Sequence, residues 1–188
     1  MNNNLNFKKL LKIFLITGGL TFLFFICLAI CFTVTDSEDE TDSEPATSEP
    51  VATIEGLSEG DIVYQEVFIY YEKSYVYYIN IFGTQLSNYD SGETTKEELM
   101  TTSTEFKQIL NQFLNTTSET TAEQFNESKV LAVSSAHETL TALEGLETII
   151  QTDDTSNYEK TTDSMQKGIN KFNQSQENFM DTVKTLTN

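Results

Sequence analysis

The chain has 188 residues, which is enough for one domain with appended segments. It is strongly acidic, with 29 Asp and Glu residues against 11 Lys and no Arg. Nucleic-acid binding depends on basic side chains that neutralise phosphates, so this composition argues against a nucleic-acid partner. The lack of Arg and Trp, with abundant Asn, Thr and Lys, is typical of an AT-rich genome such as that of a low-GC Gram-positive bacterium.

A long apolar segment follows a short basic tail at the N-terminus. Residues 1–12 contain three lysines and no acid, whereas residues 13–35 carry no charge and are rich in Leu, Ile and Phe. About 20 apolar residues in a helix span the hydrocarbon core of a bilayer. We therefore predict that residues 13–35 form a transmembrane helix that binds the membrane. Because basic flanks stay inside, the tail is predicted to be cytoplasmic and the remaining chain extracytoplasmic.

Two other fates of this segment would also export the domain. Leu28 and Cys31 have the spacing of a lipoprotein signal, but Ile30 is larger than the residue that normally precedes the lipidated cysteine. A cleaved signal peptide has a shorter apolar run and a small-residue cleavage site, which the segment lacks. We favour an uncleaved, single-pass anchor in the cell membrane, with lipidation of Cys31 and cleavage as alternatives.

Residues 36–56 separate the predicted membrane helix from the rest of the chain. They contain eight acids, no base and both prolines, with few apolar residues. Such a composition buries too little apolar surface to offset the entropy lost on folding. The segment is therefore predicted to be a disordered, extended acidic linker.

Residues 57–188 contain no proline, and their apolar pattern predicts an all-α domain. Four helical segments separated by polar breaks favour an antiparallel four-helix bundle. The last segment is the clearest, because its apolar residues recur at helical spacing: Tyr158, Met165, Ile169, Phe172, Phe179, Val183 and Leu186.

The second segment, about 94–115, and the third, about 121–151, each begin at a candidate capping box. These boxes are Thr94–Glu97 and Thr120–Glu123. On the third segment, the residues expected to face the core are Phe125, Val130, Val133, His137, Leu140, Leu143, Leu146 and Ile150.

The first segment, about 58–89, contains seven of the eight tyrosines of the chain. Its aromatic and β-branched residues also suit a hairpin that turns near residues 72–74. The strict alternation of half-buried strands is missing, however, and a helical stripe is present: Tyr64, Phe68, Tyr71, Tyr75, Tyr78, Phe82 and Tyr89. We favour a helix, with the hairpin as the alternative.

The sequence predicts no catalytic, cofactor or metal site. His137 is the only histidine, and Thr141 stands where a metalloprotease motif requires a second one. The acidic stretch at residues 153–159 lacks the alternating ligands and the turn glycine of a calcium loop, so we interpret it as a helix-capping turn. The chain is predicted not to be an enzyme.

Four apolar residues of the first segment lie partly off its main stripe, namely Ile69, Tyr70, Val76 and Tyr77. We expect some of this surface to stay exposed around Tyr70 and Tyr77 and to bind a protein or envelope partner, or a second copy of the chain. For the tyrosine cluster as a whole, we favour the other interpretation, a central helix that is buried on several sides. The predicted function is a surface-displayed, non-enzymatic interaction module. The alternative is a ligand-sensing four-helix domain that acts through a membrane partner.

The predicted topology can be tested with protease added to cells stripped of their wall. Digestion is expected beyond Val34, because the acidic linker and the domain are predicted to lie outside the membrane. Immunoblotting of a C-terminal tag measures the loss. Protection of the C-terminal domain, with lysis restoring cleavage, would contradict this orientation.

Overall fold

The computed structural model describes residues 56–89, 91–152 and 154–187. These residues form four α-helices and no strand: α1 (Glu59–Tyr89), α2 (Lys96–Ser118), α3 (Asn126–Thr152) and α4 (Tyr158–Thr187). The all-α prediction and the four-helix bundle are confirmed for this part of the chain. The hairpin alternative for the first segment is wrong.

The predicted N-terminal elements lie outside the described residues. They are the basic tail at 1–12, the membrane helix at 13–35 and the linker, of which only Gly56 is described. Within the described part, no helix is long and apolar enough to cross a membrane.

Reciprocal capping fixes the starts of α1 and α2. The Asp61 amide donates to Ser58 Oγ at 3.1 Å, and the Ser58 amide donates to an Asp61 carboxylate oxygen at 3.3 Å. At α2, the Glu98 amide donates to Thr95 Oγ1 at 3.2 Å, while the Thr95 amide donates to Glu98 Oε2 at 2.7 Å. Each pair satisfies amides that the first helical turn leaves free.

Both predicted capping boxes are misplaced. The cap of α2 begins one residue later than Thr94, because the Thr94 amide donates to the Asn88 carbonyl and so belongs to the turn after α1. Thr120 does not cap α3, since its hydroxyl donates to the Thr116 carbonyl. The chain then continues as a loop to Asn126, where α3 begins.

This loop is fastened to the beginning of α1. The Gln124 amide donates to Asp61 Oδ1 at 2.9 Å, so one buried carboxylate serves both the α1 cap and the loop. Gly60 permits the contact, since a Cβ at this position would lie 1.8 Å from the Thr121 carbonyl oxygen.

Buried hydrogen bonds between α1 and α3 form the centre of the bundle, and we call them the hydroxyl ladder. They join Tyr64 to Ser128 at 3.0 Å, Tyr71 to Ser135 at 3.4 Å and Tyr75 to Thr139 at 2.9 Å. Partners are separated by 64 residues in every case. A constant separation means that α1 and α3 run parallel in one register.

The ladder continues into α4. Ser128 Oγ donates to the Ser175 carbonyl at 3.0 Å, and Ser135 Oγ donates to the Gly168 carbonyl at 2.8 Å. Small residues allow this close approach, because a Cβ at Gly168 would lie 2.4 Å from Thr139 Oγ1. The serines of α3 thus connect the tyrosines of α1 to the backbone of α4.

Aromatic rings fill the remaining core. Phe68 stacks on Phe179 with ring centroids 4.6 Å apart, and Tyr75 stacks on Phe172 at 4.1 Å. Higher numbers on α1 meet lower numbers on α4, so these helices are antiparallel. Tyr71 stacks on Phe113 of α2 at 3.9 Å. The connectivity is therefore up-down-up-down.

The predicted apolar stripe is largely confirmed for α4 but only partly for α3. Phe125, Leu143, Leu146 and Ile150 are buried as expected. However, Val130 is 59% exposed, His137 is exposed, and Val133 and Leu140 are half-buried. The buried face of α3 consists instead largely of small and hydroxyl-bearing residues: Ser128, Ala132, Ser135, Ala136, Thr139 and Ala142. These residues face the core because they bond the tyrosines and let α4 pack closely.

We expect the Tyr75–Thr139 bond to show coupling in a double-mutant cycle. Tyr75→Phe or Thr139→Val alone should lower the free energy of unfolding by about 1–3 kcal/mol, because each leaves one buried hydroxyl without its partner. The double variant should lose about 1 kcal/mol less than the sum. Urea unfolding followed by circular dichroism measures this, with Tyr70→Phe as an exposed control. Additive losses would contradict the bond.

The buried phenols should make the fold sensitive to alkali. Burial raises the pKa of Tyr75 to about 12 and also raises the pKa values of Tyr64 and Tyr71. Each of these phenols holds its proton more tightly in the folded state than in the unfolded state. Its contribution to stability is therefore complete below a pH of about 10, the pKa of tyrosine in the unfolded chain. This stabilisation is lost as the pH rises toward 12.

The Tyr75→Phe variant tests whether the buried phenol loses its stabilising effect as the pH rises. Its stability deficit relative to the wild type should shrink by about 1.4 kcal/mol between pH 8 and pH 11, because only the wild type loses the contribution of this phenol. Urea unfolding at both pH values provides the comparison. A deficit that stays constant would show that Tyr75 titrates normally in the fold.

Candidate interaction groove

Two cavities lie along the seam between α1 and α2, and we call them together the α1–α2 groove. The Tyr70 cavity has a volume of about 210 Å³ and is lined mainly by apolar side chains, including Val67, Tyr70, Ile109 and Phe113. The Tyr77 cavity has a volume of about 420 Å³ and is more polar, with a wall made of Tyr77, Tyr78, Gln85, Glu97, Glu98 and Glu105, among others.

Tyr70 and Tyr77 border this groove from α1. Their side chains are 55% and 59% exposed, and each lines one of the two cavities. Seven residues of helix separate them, which corresponds to two turns and about 10.5 Å. The structure therefore places both tyrosines that were predicted to be exposed on one side of the domain.

Ile69 and Val76 lie toward a different seam. Both are half-buried and pack against the core. They flank Glu72 at spacings of three and four residues, so all three share one side of α1. Glu72 accepts a hydrogen bond of 2.5 Å from Gln176, which identifies that side as the one facing α4. The four predicted residues are thus divided between two seams.

Neighbouring tyrosines of α1 have opposite environments. Tyr64, Tyr71 and Tyr75 are buried in the hydroxyl ladder, so the core interpretation holds for them, whereas Tyr70 and Tyr77 reach solvent. The signal that separates them is helical phase. Tyr70 is one position, about 100°, from Tyr71, and Tyr77 is two positions, about 200°, from Tyr75, so both side chains turn away from the core.

The aromatic wall of the Tyr77 cavity is ordered by packing. Tyr78 stacks on Phe106 with ring centroids 5.4 Å apart, and Tyr77 meets Tyr78 edge-on at 5.2 Å. Burial, and then the nearby Glu105 carboxylate, raises the pKa of Tyr78.

Acidic side chains form the opposite wall. Glu97, Glu98 and Glu105 come from α2, and hydrogen bonds from the backbone and side chain of Thr95 lower the pKa of Glu98. Gln85 also lines this cavity, and its side-chain oxygen is buried without a hydrogen-bond partner among the described residues. The cavity thus presents acceptors and negative charge beside aromatic rings.

Described ion pairs lie away from the groove. Lys107 pairs with Glu147 between α2 and α3, Lys171 pairs with Glu138 between α3 and α4, and two exposed pairs lie within α4. No lysine in the described ranges forms an ion pair with the acids that line the two cavities. These acids therefore have no paired base among the described residues.

No group of His, Cys, Asp and Glu within the described part of the chain is placed to hold a metal ion. No protein-family model, curated protein or solved structure matches the chain.

Proposed function

We propose that this protein is a membrane-anchored, surface-displayed interaction module that binds a protein or envelope component through the α1–α2 groove. The observation that carries the proposal is the pair of half-exposed tyrosines, each beside a cavity. Tyrosine offers a large, rigid contact area with a polar end at low entropic cost, and it is enriched in interfaces for that reason. In this proposal the module is not an enzyme and binds no cofactor.

The segments before the domain would hold it at the cell surface. The membrane helix at 13–35 supplies the anchor, with residues 1–12 in the cytoplasm. The acidic linker at 36–56 would reach at most about 75 Å when fully extended. Repulsion among its eight acids keeps such a linker open, so the groove would face partners beyond the lipid headgroups.

Ligand sensing through a membrane partner is the second candidate function. The Tyr77 cavity favours it, because a volume of about 420 Å³ is within the range of small-molecule sites. In this candidate, the signal would reach the cytoplasm through a membrane partner protein. A ligand that binds the purified protein by itself would distinguish this candidate from a protein-binding module.

Photo-crosslinking in living cells tests the interaction module. A benzophenone amino acid at position 70 or 77 is expected to capture a partner, because these side chains border the groove. The matched control is position 130, since Val130 is also 59% exposed but lies on α3. Equal capture from all three positions would contradict a specific surface.

The Tyr70→Ser/Tyr77→Ser double variant tests the energetic role of the two rings. It should keep the circular dichroism spectrum of the wild type and lose the captured partner in a pull-down, whereas Val130→Ser should keep both. Unfolding of the double variant would show that the rings belong to the core. Unchanged capture by the folded variant would place the binding surface elsewhere.

A further inference from the structure

The α1–α2 groove has a chemical character that restricts its partner. Residues 56–188 contain 21 Asp and Glu and eight Lys. A second copy of the domain, or an anionic lipid surface, would be repelled by this charge, whereas a basic protein would be attracted. Electrostatic complementarity of this kind selects partners and speeds their encounter.

We propose that the groove binds a Lys- or Arg-containing segment of a basic partner protein, with a cationic side chain in the Tyr77 cavity and an apolar side chain in the Tyr70 cavity. This inference deepens the proposed function and rests on it. It adds the class of partner and the position of each contact.

The Tyr77 cavity combines three features that suit a cation. A Lys or Arg head group is attracted to the face of an aromatic ring within about 6 Å, and Tyr77 and Tyr78 supply rings. Glu97 and Glu105 lie on exposed turns of α2 and supply carboxylates. Gln85 also lines the cavity and adds a polar side chain, whose oxygen has no hydrogen-bond partner among the described residues.

The basic side chains of the domain leave these acceptors to a partner. Lys96 donates to the Gln151 carbonyl at 3.5 Å and Lys107 pairs with Glu147 at 2.6 Å, so both α2 lysines bind toward α3. Lys73 lies between Tyr70 and Tyr77 on α1 but lines neither cavity. A cation from outside would therefore meet carboxylates that have not been neutralised.

The Tyr70 cavity suits an apolar side chain. The cavity has a volume of about 210 Å³, and its mainly apolar walls offer water few hydrogen bonds. Displacing water from it with an aliphatic group is favourable. The two tyrosines are about 10.5 Å apart, so the partner should present its apolar and cationic groups three residues apart when extended or seven apart on a helix.

A synthetic peptide provides a direct test with the full-length protein in a non-ionic detergent. The probe is a fluorescein-labelled peptide with three repeats of Leu-Ser-Gly-Lys-Gly-Ser-Gly-Lys, which contains both spacings. Fluorescence anisotropy should show saturable binding that weakens as the salt concentration rises. A peptide with Glu in place of every Lys should not bind.

Charge-matched variants locate the contact. Glu97→Gln/Glu105→Gln should weaken binding about five- to tenfold, as expected for the loss of two partly exposed ion pairs. Glu159→Gln/Glu177→Gln removes the same charge from exposed positions on α4 and should leave the affinity within about twofold of the wild type. Because Glu97 also stabilises the first turn of α2, Glu105→Gln alone serves as a second variant, with an expected loss of about threefold.

Several results would overturn the inference: no saturable binding of the lysine peptide, equal binding of the glutamate peptide, or equal weakening by the two double variants. These outcomes are separate from failure of the proposed function. If a partner is captured at positions 70 and 77 but the lysine peptide does not bind, the proposed interaction module stands and the proposal of a basic partner is contradicted. If neither partner capture nor peptide binding is observed, the interaction module and its basic partner are both contradicted.

Discussion

The hydrogen bonds between the tyrosines of α1 and the hydroxyls of α3 are the constraint that organises this bundle. A buried hydroxyl without a partner costs roughly 1–3 kcal/mol. Sliding α1 by one residue would deprive Tyr64, Tyr71 and Tyr75 of their partners simultaneously. Aliphatic side chains tolerate such slips more easily, because dispersion contacts have no fixed direction. The ladder therefore sets both the register of α1 and its rotation about its own axis.

That rotation also determines which aromatic residues reach solvent. Tyr71 and Tyr75 are directed at α3. The residue one position before Tyr71 and the residue two positions after Tyr75 therefore turn toward α2. Tyr70 and Tyr77 consequently border the α1–α2 groove, and Ile69 and Val76 turn toward α4. Core packing and the proposed binding surface are thus two consequences of one set of hydrogen bonds. A change that weakens the ladder would be expected to disturb the groove as well.

Paired and unpaired charges lie in different parts of the bundle. Lysines of α2 and α4 are engaged at the seams of α3, where Lys107 meets Glu147 and Lys171 meets Glu138. The groove keeps its carboxylates beside aromatic rings. A partly exposed ion pair adds little to stability, so acids left without a base cost the fold little. They nevertheless create a field that favours basic partners.

Helical period alone determined much of this fold. Met165, Ile169, Phe172 and Phe179 recur at core spacing, and the absence of proline after Pro50 favoured long helices, so the four-helix architecture could be predicted. The buried face of α3 could not, because Ser128, Ser135 and Thr139 are polar and gain their place in the core only from tyrosines 64 residues away. Likewise, the sequence indicated exposed apolar surface near Tyr70 and Tyr77, but only the tertiary structure separated them from Ile69 and Val76. The local sequence pattern shows which residues are apolar. Long-range contacts decide which group a buried hydroxyl bonds and how a helix is rotated about its own axis.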